Sequence, residues 1–196
     1  SKPLIYEYWT HYLEVVKNYL KPQDKVLDIG CGPDGAINYI DSTQKYGLDP
    51  LMDFYLSNFE LPKNINWKKG VGEAIPYETE FFDLVITTNT LDHTKNPKKM
   101  LNEINRVLKR GRFLLLMVYC NGPISLLYRR AKEMIGKRVD LPHPHSFAFW
   151  QVKKLLTASQ LDVKVVLSGI EGMGEYVGKK LSVRKEKRFS LLRSVC

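Results

Sequence analysis

Residues Val26 to Gly35 read "VLDIGCGPDG", a short apolar run that stops at glycines. Such a run predicts a buried strand leading into a tight turn. The stretch satisfies two patterns with opposite chemistry. Gly30, Gly32 and Gly35 spell G-x-G-x-x-G, found where a loop receives a pyrophosphate. Asp28, Gly30 and Gly32 spell D-x-G-x-G. Glycines let the backbone turn sharply and approach a ligand that a Cβ would exclude, and the amides of a following helix would make a partly positive end. A carboxylate two residues before Gly30 opposes a pyrophosphate and suits a ligand carrying an ammonium or sulfonium. Asp28 also reads as a cap or turn residue bonded to the loop backbone, and the two roles are compatible. Asp49, near the end of the next strand, can accept hydrogen bonds from two ribose hydroxyls, so the ligand expected is of adenosine type.

Outward from this stretch, strands and helices alternate. Tyr6 to Leu20 is an amphipathic helix by its spacing. After "KVLDIG", Pro33 to Ile40 predicts a helix with proline in its first turn. "KYGLD" (Lys45 to Asp49), "INWKK" (Ile65 to Lys69), "FDLVITT" (Phe82 to Thr88) and "FLLLMVY" (Phe113 to Tyr119) predict strands, with a helix over Leu51 to Asn58. Asn96 and Pro97 open another helix as N-cap and first residue; its apolar face runs from Met100 to Leu108, and Gly111 ends it. Beyond Tyr119 the expectations are a basic helix (Ile124 to Ile135), a Pro/His loop, a helix (Phe147 to Ser159), a strand (Val163 to Ser168) and a final edge strand (Arg188 to Val195). The fold expected is α/β: a doubly wound, mostly parallel sheet with an antiparallel C-terminal edge strand. Its ligand would lie at the carboxyl ends of the strands, near strand one.

The 196 residues suit a single domain: an N-terminal helix (1–24), a cofactor-binding core (25–119) and an acceptor-side basic region (120–196). A hydrophobic fraction of 44% with 26% charged residues is ordinary for a globular chain. The longest apolar run, Phe113 to Cys120, is too short to span a bilayer. No signal peptide is expected from the first residues. Three scattered cysteines without metal-type spacing point to a reducing, cytoplasmic setting. The charge is unevenly placed. Residues 1–128 balance, with 15 basic and 15 acidic residues, whereas residues 129–196 carry 15 basic and 6 acidic ones, which is the whole net +9.

"VLDIGCGPDG", followed by "GLD" and by "GVGEAIPYETEFFDLVITTNTLDHTKNPKKMLNEINRVLKRGRFLLL", resembles the class I S-adenosylmethionine-dependent methyltransferases, above all their "type 11" small-molecule group. The likeness runs from about Lys25 to Tyr119. It implies a Rossmann-like fold and S-adenosyl-L-methionine as cofactor, with S-adenosyl-L-homocysteine as product. It implies further that Gly30, Cys31 and Gly32 pass beside the methionyl part, that Asp28 orients its amino group and that Asp49 binds the ribose. Pro50 and Leu51 would pack on the adenine, Gly72 and Glu73 would line its edge, and Asn89 would face the reaction site. Val71 stands where the family usually places an acid for the adenine amino group. Arg110-Gly111-Arg112 replaces the usual Pro-Gly-Gly, a change expected to concern the surface more than the site.

Candidate general bases are His93, in "LDH", and His143 and His145, in "LPHPHSF". Each has a plainer reading: His93 as a residue bonded within its loop, and "HPHSF" as a stiff loop with Ser146 capping the next helix. His-x-His lacks a third ligand beyond Asp140, so no metal is expected. The aromatics Tyr6, Tyr8, Trp9 and Tyr12 of the first helix read mostly as core, and by the resemblance also as a cover for the cofactor. The basic segments "YRRAKEMIGKR" and "GKKLSVRKEKR" fit an acidic or phosphorylated small substrate, an RNA or membrane surface, or solvated faces. No RNA-binding motif accompanies them, and the "N-P-P-Y" tetrapeptide of base-amino methylases is absent, so nucleic acid is not favoured. Three readings remain: methyl transfer to a small, anionic acceptor; a non-catalytic cofactor-binding or RNA-associated module; and an NAD-dependent oxidoreductase.

Overall fold

A computed structural model describes residues 2–136, 144–168, 173–180 and 192–194. Helix α1 (Lys2–Lys17) precedes β1 (Lys25–Ile29), β2 (Gln44–Asp49), α2 (Met52–Asn58), β3 (Ile65–Lys69), β4 (Phe82–Thr88), α3 (Pro97–Val107) and β5 (Leu108–Tyr119). Then come α4 (Pro123–Met134), α5 (Phe149–Ala158), β6 (Leu161–Ser168), β7 (Met173–Lys180) and β8 (Leu192–Ser194). They form one eight-stranded sheet in the order β3-β2-β1-β4-β5-β7-β6-β8. Strands β1 to β5 pair in parallel, and β7 runs antiparallel to both β5 and β6. The mostly parallel, doubly wound sheet is therefore present. Its antiparallel strand lies inside the edge, and the three-residue β8, within the expected last strand, runs parallel to β6. The rest of Arg188 to Val195 lies outside the described residues.

Alternation along the strands sorts the core onto two faces. Leu27, Ile29 and Val85 pack with Met100 and Ile104 of α3 and with Val152 and Leu156 of α5. Val26, Leu84, Ile86 and Leu115 pack on the other face with Leu13 and Val16 of α1. Each such fully buried aliphatic side chain contributes about 1.5–3 kcal/mol. Of the aromatics of α1, Trp9 is half-buried and packs against this face of the core, Tyr8 and Tyr12 are half-buried, and Tyr6 is exposed.

Three local expectations give way. The helix expected over Pro33 to Ile40 is a single 3₁₀ turn, Ala36–Asn38. The amides of Ile37 and Ala36 bond the Asp28 carboxylate instead, and the Asp34 carbonyl accepts from the Trp9 indole at 3.1 Å. The turn has no helical length, so the positive helix end expected after the glycines is absent from the site. Helix α3 ends at Val107 rather than Gly111. Strand β5 begins at Leu108, and Gly111 sits within it at φ +74 beside a register shift. Ser146 does not cap α5. The N-cap is Ala148, whose amide donates to Gln151 Oε1 at 2.7 Å, while the buried Ser146 Oγ has no hydrogen-bond partner.

Arg112 has a role at the far edge of the sheet. Its guanidinium meets Asp24 at 2.5 Å and Asp83 at 2.8 Å, while Lys109 meets Asp83 at 2.9 Å. The charges gained in Arg110-Gly111-Arg112 thus tie β5 to β4 and to the entry of β1, away from the glycine loop.

Candidate cofactor site

The site forms where β1, β2 and β4 end side by side. Gly30 takes φ +70, and its amide donates to the Leu48 carbonyl at 2.8 Å. A Cβ there would stand 2.2 Å from Thr90 Oγ1, so glycine is required both for the turn and for the contact. Thr90 Oγ1 donates within this contact, lying 3.2 Å from the Ile29 carbonyl and 3.0 Å from that of Thr88. Gly32 also has positive φ, +55, but a Cβ on it would meet nothing within 4 Å. The loop is thus closed against the protein at Gly30 and open at Gly32.

Two carboxylates brace it. Asp49 Oδ2 accepts from the Gly32 amide at 3.1 Å and Oδ1 from the Leu51 amide at 2.8 Å. Each oxygen keeps a lone pair for a hydroxyl donor. Asp28 is fully buried; Oδ2 accepts from the Ile37 amide at 3.1 Å, while Oδ1 has no hydrogen-bond partner among the described residues. Burial pushes its carboxyl up to about 7, with the nearby Asp49 charge adding and the loop amides opposing. Gly35 permits this closure, since a Cβ would lie 2.2 Å from the Cys31 carbonyl and 2.8 Å from Asp28 Oδ2. The third glycine of the motif therefore packs on the carboxylate that distinguishes the motif.

A cavity of about 410 Å³ opens beside the loop. Of the residues expected at the cofactor, Gly30, Pro50, Gly72 and Glu73 line it, and so does His93. Glu73 Oε1 accepts from the amides of Lys95 (2.7 Å) and Asn96 (3.2 Å), fixing the wall before α3. Asn96 in turn caps α3 through the Lys99 amide at 3.0 Å. Leu51 is exposed beyond Pro50. Asn89 is exposed in the left-handed region, φ +49, at the end of β4, with its amide bonded to the Met117 carbonyl. Cys31 contributes backbone only: its thiol is buried toward Gly47 of β2, and burial, then Asp28 and Asp49, push it far above the ordinary thiol range.

His145 lies elsewhere. Its ring stacks on Phe147 (centroids 5.9 Å apart), and its amide donates to the Asp92 carbonyl at 3.3 Å. The loop before α5 is thereby held against the turn that carries His93. His143 and Asp140 lie outside the described residues. Among the described residues no group of three His, Cys, Asp or Glu side chains could hold a metal. Thr90, Thr94, Lys95 and Lys99 also line the cavity and were not anticipated. The positive-φ glycine at 30 and the N-cap at Asn96 were the available signals for the two segments that carry them.

Residues 27–116, which contain the glycine loop, both carboxylates and the cavity wall, match the family described as "Methyltransferase domain". Over that stretch the chain is similar to methyltransferases that use S-adenosylmethionine. It is 30% identical over 149 residues to an uncharacterized methyltransferase, YcgJ, of Bacillus subtilis, covering 72% of this chain and 58% of that protein. It is 29% identical over 118 residues to phosphoethanolamine N-methyltransferase 1 of Zea mays, covering 56% and 23%. The chain thus spans less than two thirds of these relatives. In fold it is similar to a solved S-adenosylmethionine-dependent methyltransferase of Methanosarcina mazei, with TM-score 0.67 and 18% identity over 85% of this chain and 97% of that one.

The cofactor of class I methyltransferases is S-adenosylmethionine, and the residues present fit it. The open space at Gly32 leaves room against bare backbone. The Asp28 carboxyl beneath the loop, whose Oδ1 has no partner among the described residues, becomes a negative charge on ionisation, which favours a cationic methionyl tail over a pyrophosphate. Val71, where this methyltransferase family usually carries an acid, is part of the cavity wall.

Proposed function

We propose that the chain transfers the methyl group of S-adenosylmethionine to a small, anionic acceptor. The observation that carries the reading is the pair of carboxylates, Asp28 and Asp49, bonded to a glycine loop that is open at Gly32. In this reading Asp49 holds the ribose hydroxyls, and the backbone of Gly30 to Gly32 runs along the methionyl part. Pro50 and Leu51 flank the adenine, with Gly72 and Glu73 at its edge. When bound, the cofactor supplies a methyl activated on a sulfonium. The protein supplies position and a site poor in water. Asn89 stands at the strand end nearest the acceptor side. In this reading His93, in the cavity wall, or His145, on the loop joined to it through the Asp92 carbonyl, takes a proton from a hydroxyl or ammonium acceptor.

Two relatives support a small acceptor bearing an anionic group. One is the maize phosphoethanolamine N-methyltransferase. The other is a sarcosine/dimethylglycine N-methyltransferase of Aphanothece halophytica, 28% identical over 97 residues. Calorimetry with S-adenosylmethionine, S-adenosylhomocysteine and NAD tests the ligand class. The first two should bind, and Asp49→Ala should weaken them on the order of tenfold or more. Tight NAD binding without response to the others would overturn the reading. Cofactor binding without methylation of any small amine or hydroxy acid would leave a binding module instead.

A further inference from the structure

Helix α4 is amphipathic in the reverse sense to a helix that packs on a core. At 100° per residue, Met134, Leu127, Ala131, Ile124 and Tyr128 share an arc of about 120°. This arc faces solvent: Ile124 is 85% exposed, Leu127 71%, Tyr128 56% and Met134 87%, and Ile135 just beyond is 69% exposed. Leu126 and Arg129, on the other side, are half-buried, and so is Lys132 at the border of the arc. The described residues thus leave the apolar stripe uncovered, and an exposed stripe of this kind marks a docking surface.

The charges around the stripe specify the partner. Arg130 borders the arc on one side and Lys132 on the other, with the Lys132 ammonium 4.6 Å from the Tyr128 ring centroid. The acid of the helix, Glu133, lies across from the arc and is paired with Arg129 at 3.0 Å. An apolar face rimmed by long basic side chains, with a tyrosine at the border, matches a helix lying in the interface of an anionic bilayer. The excess of nine positive charges over residues 129–196 favours the same surface. Helix α4 leaves the sheet just after Tyr119, at the carboxyl edge where the glycine loop also lies. Its start is fixed beside that of α5 by the Asn121 amide, which donates to the Phe147 carbonyl at 2.7 Å. Trp150, early in α5, is 62% exposed.

We propose that α4 docks this protein onto anionic lipid membranes, its apolar arc inserted and Arg130 and Lys132 on the headgroups, so that the carboxyl edge of the sheet faces the bilayer. The docking is independent of the methyl-transfer reading and is measured without cofactor. The test is flotation of the full chain with vesicles of phosphatidylcholine alone or mixed with phosphatidylglycerol at roughly 70:30. Binding is expected to the mixed vesicles and to fall with salt. Leu127→Asp with Met134→Asp should reduce it on the order of tenfold, and Arg130→Glu should reduce it on anionic vesicles. These positions are solvent-facing, and unchanged thermal melting of the variants verifies that the fold persists. Failure of the unaltered protein to float with anionic vesicles overturns the proposal. Undiminished binding of the Asp variants also overturns it, since charge elsewhere would then suffice. A dimer in sedimentation that those variants abolish, without vesicle binding, would assign the face to a second copy.

Discussion

The ends of β1 and β5 lie on the same edge of one sheet, yet the chain leaves them under different rules. At β1 the turn is braced within the protein: a Cβ at Gly30 would meet Thr90, one at Gly35 would meet Asp28, and the Gly32 amide is tethered to Asp49. At β5 the chain enters a helix whose apolar residues face water. The first end is determined by contacts within the fold. The second carries apolar residues that no described part of the fold covers. Substitutions at the two ends should therefore separate stability from association.

The largest effect is expected at β1. Gly30→Ala must accept a left-handed conformation and a contact with Thr90, costing about 2–4 kcal/mol. Urea unfolding measures the cost, and cofactor affinity should fall with it. Pairing the change with Thr90→Ala should recover only the contact part; full recovery would mean that the backbone conformation costs nothing. A smaller effect concerns Asp28. Its carboxyl lies at about 7 in the fold against an ordinary 3.8, so the folded chain holds an extra proton between those values. Stability should fall as pH rises through that window and level off above about 7. A cationic cofactor favours the ionised form, so its affinity should rise about tenfold from pH ~6 to ~8, with proton release at the lower pH. Calorimetry in buffers of different ionisation enthalpy detects the release, and its absence would remove Asp28 from the cofactor's electrostatics. The smallest effect is expected at β5: Leu127→Asp should change unfolding free energy by less than about 0.5 kcal/mol. A larger loss would show that α4 is packed and would erase the contrast between the two ends.

The same contrast governs what could be read from residue order. "FDLVITT" coincides with β4 because its apolar content alone favours a buried strand, while "INWKK" forms the edge strand β3, in which only Ile65 is buried. Asn96-Pro97 marks the start of α3 because capping is a local interaction. The 3₁₀ turn after the glycines was hidden because its amides are taken by Asp28, eight and nine residues earlier, rather than by the preceding turn. Strand β7 was hidden too. "MGEYVGKK" carries two glycines and little apolar content, and its extended form comes from pairing with β5 and β6. At the site, the glycines, Asp49 and Glu73 were legible. The wall from Thr94 to Lys99 was not, since it enters through Glu73 bonding a loop some twenty residues away.

Cys31 gives the glycine loop a built-in clock. Its thiol is sealed against β2 while its backbone forms the ligand-facing turn, and burial suppresses the reactive thiolate. A thiol reagent can reach it only when the loop lifts from Asp49, so the labelling rate counts those openings. A ligand that grips the loop should slow the count in proportion to its occupancy.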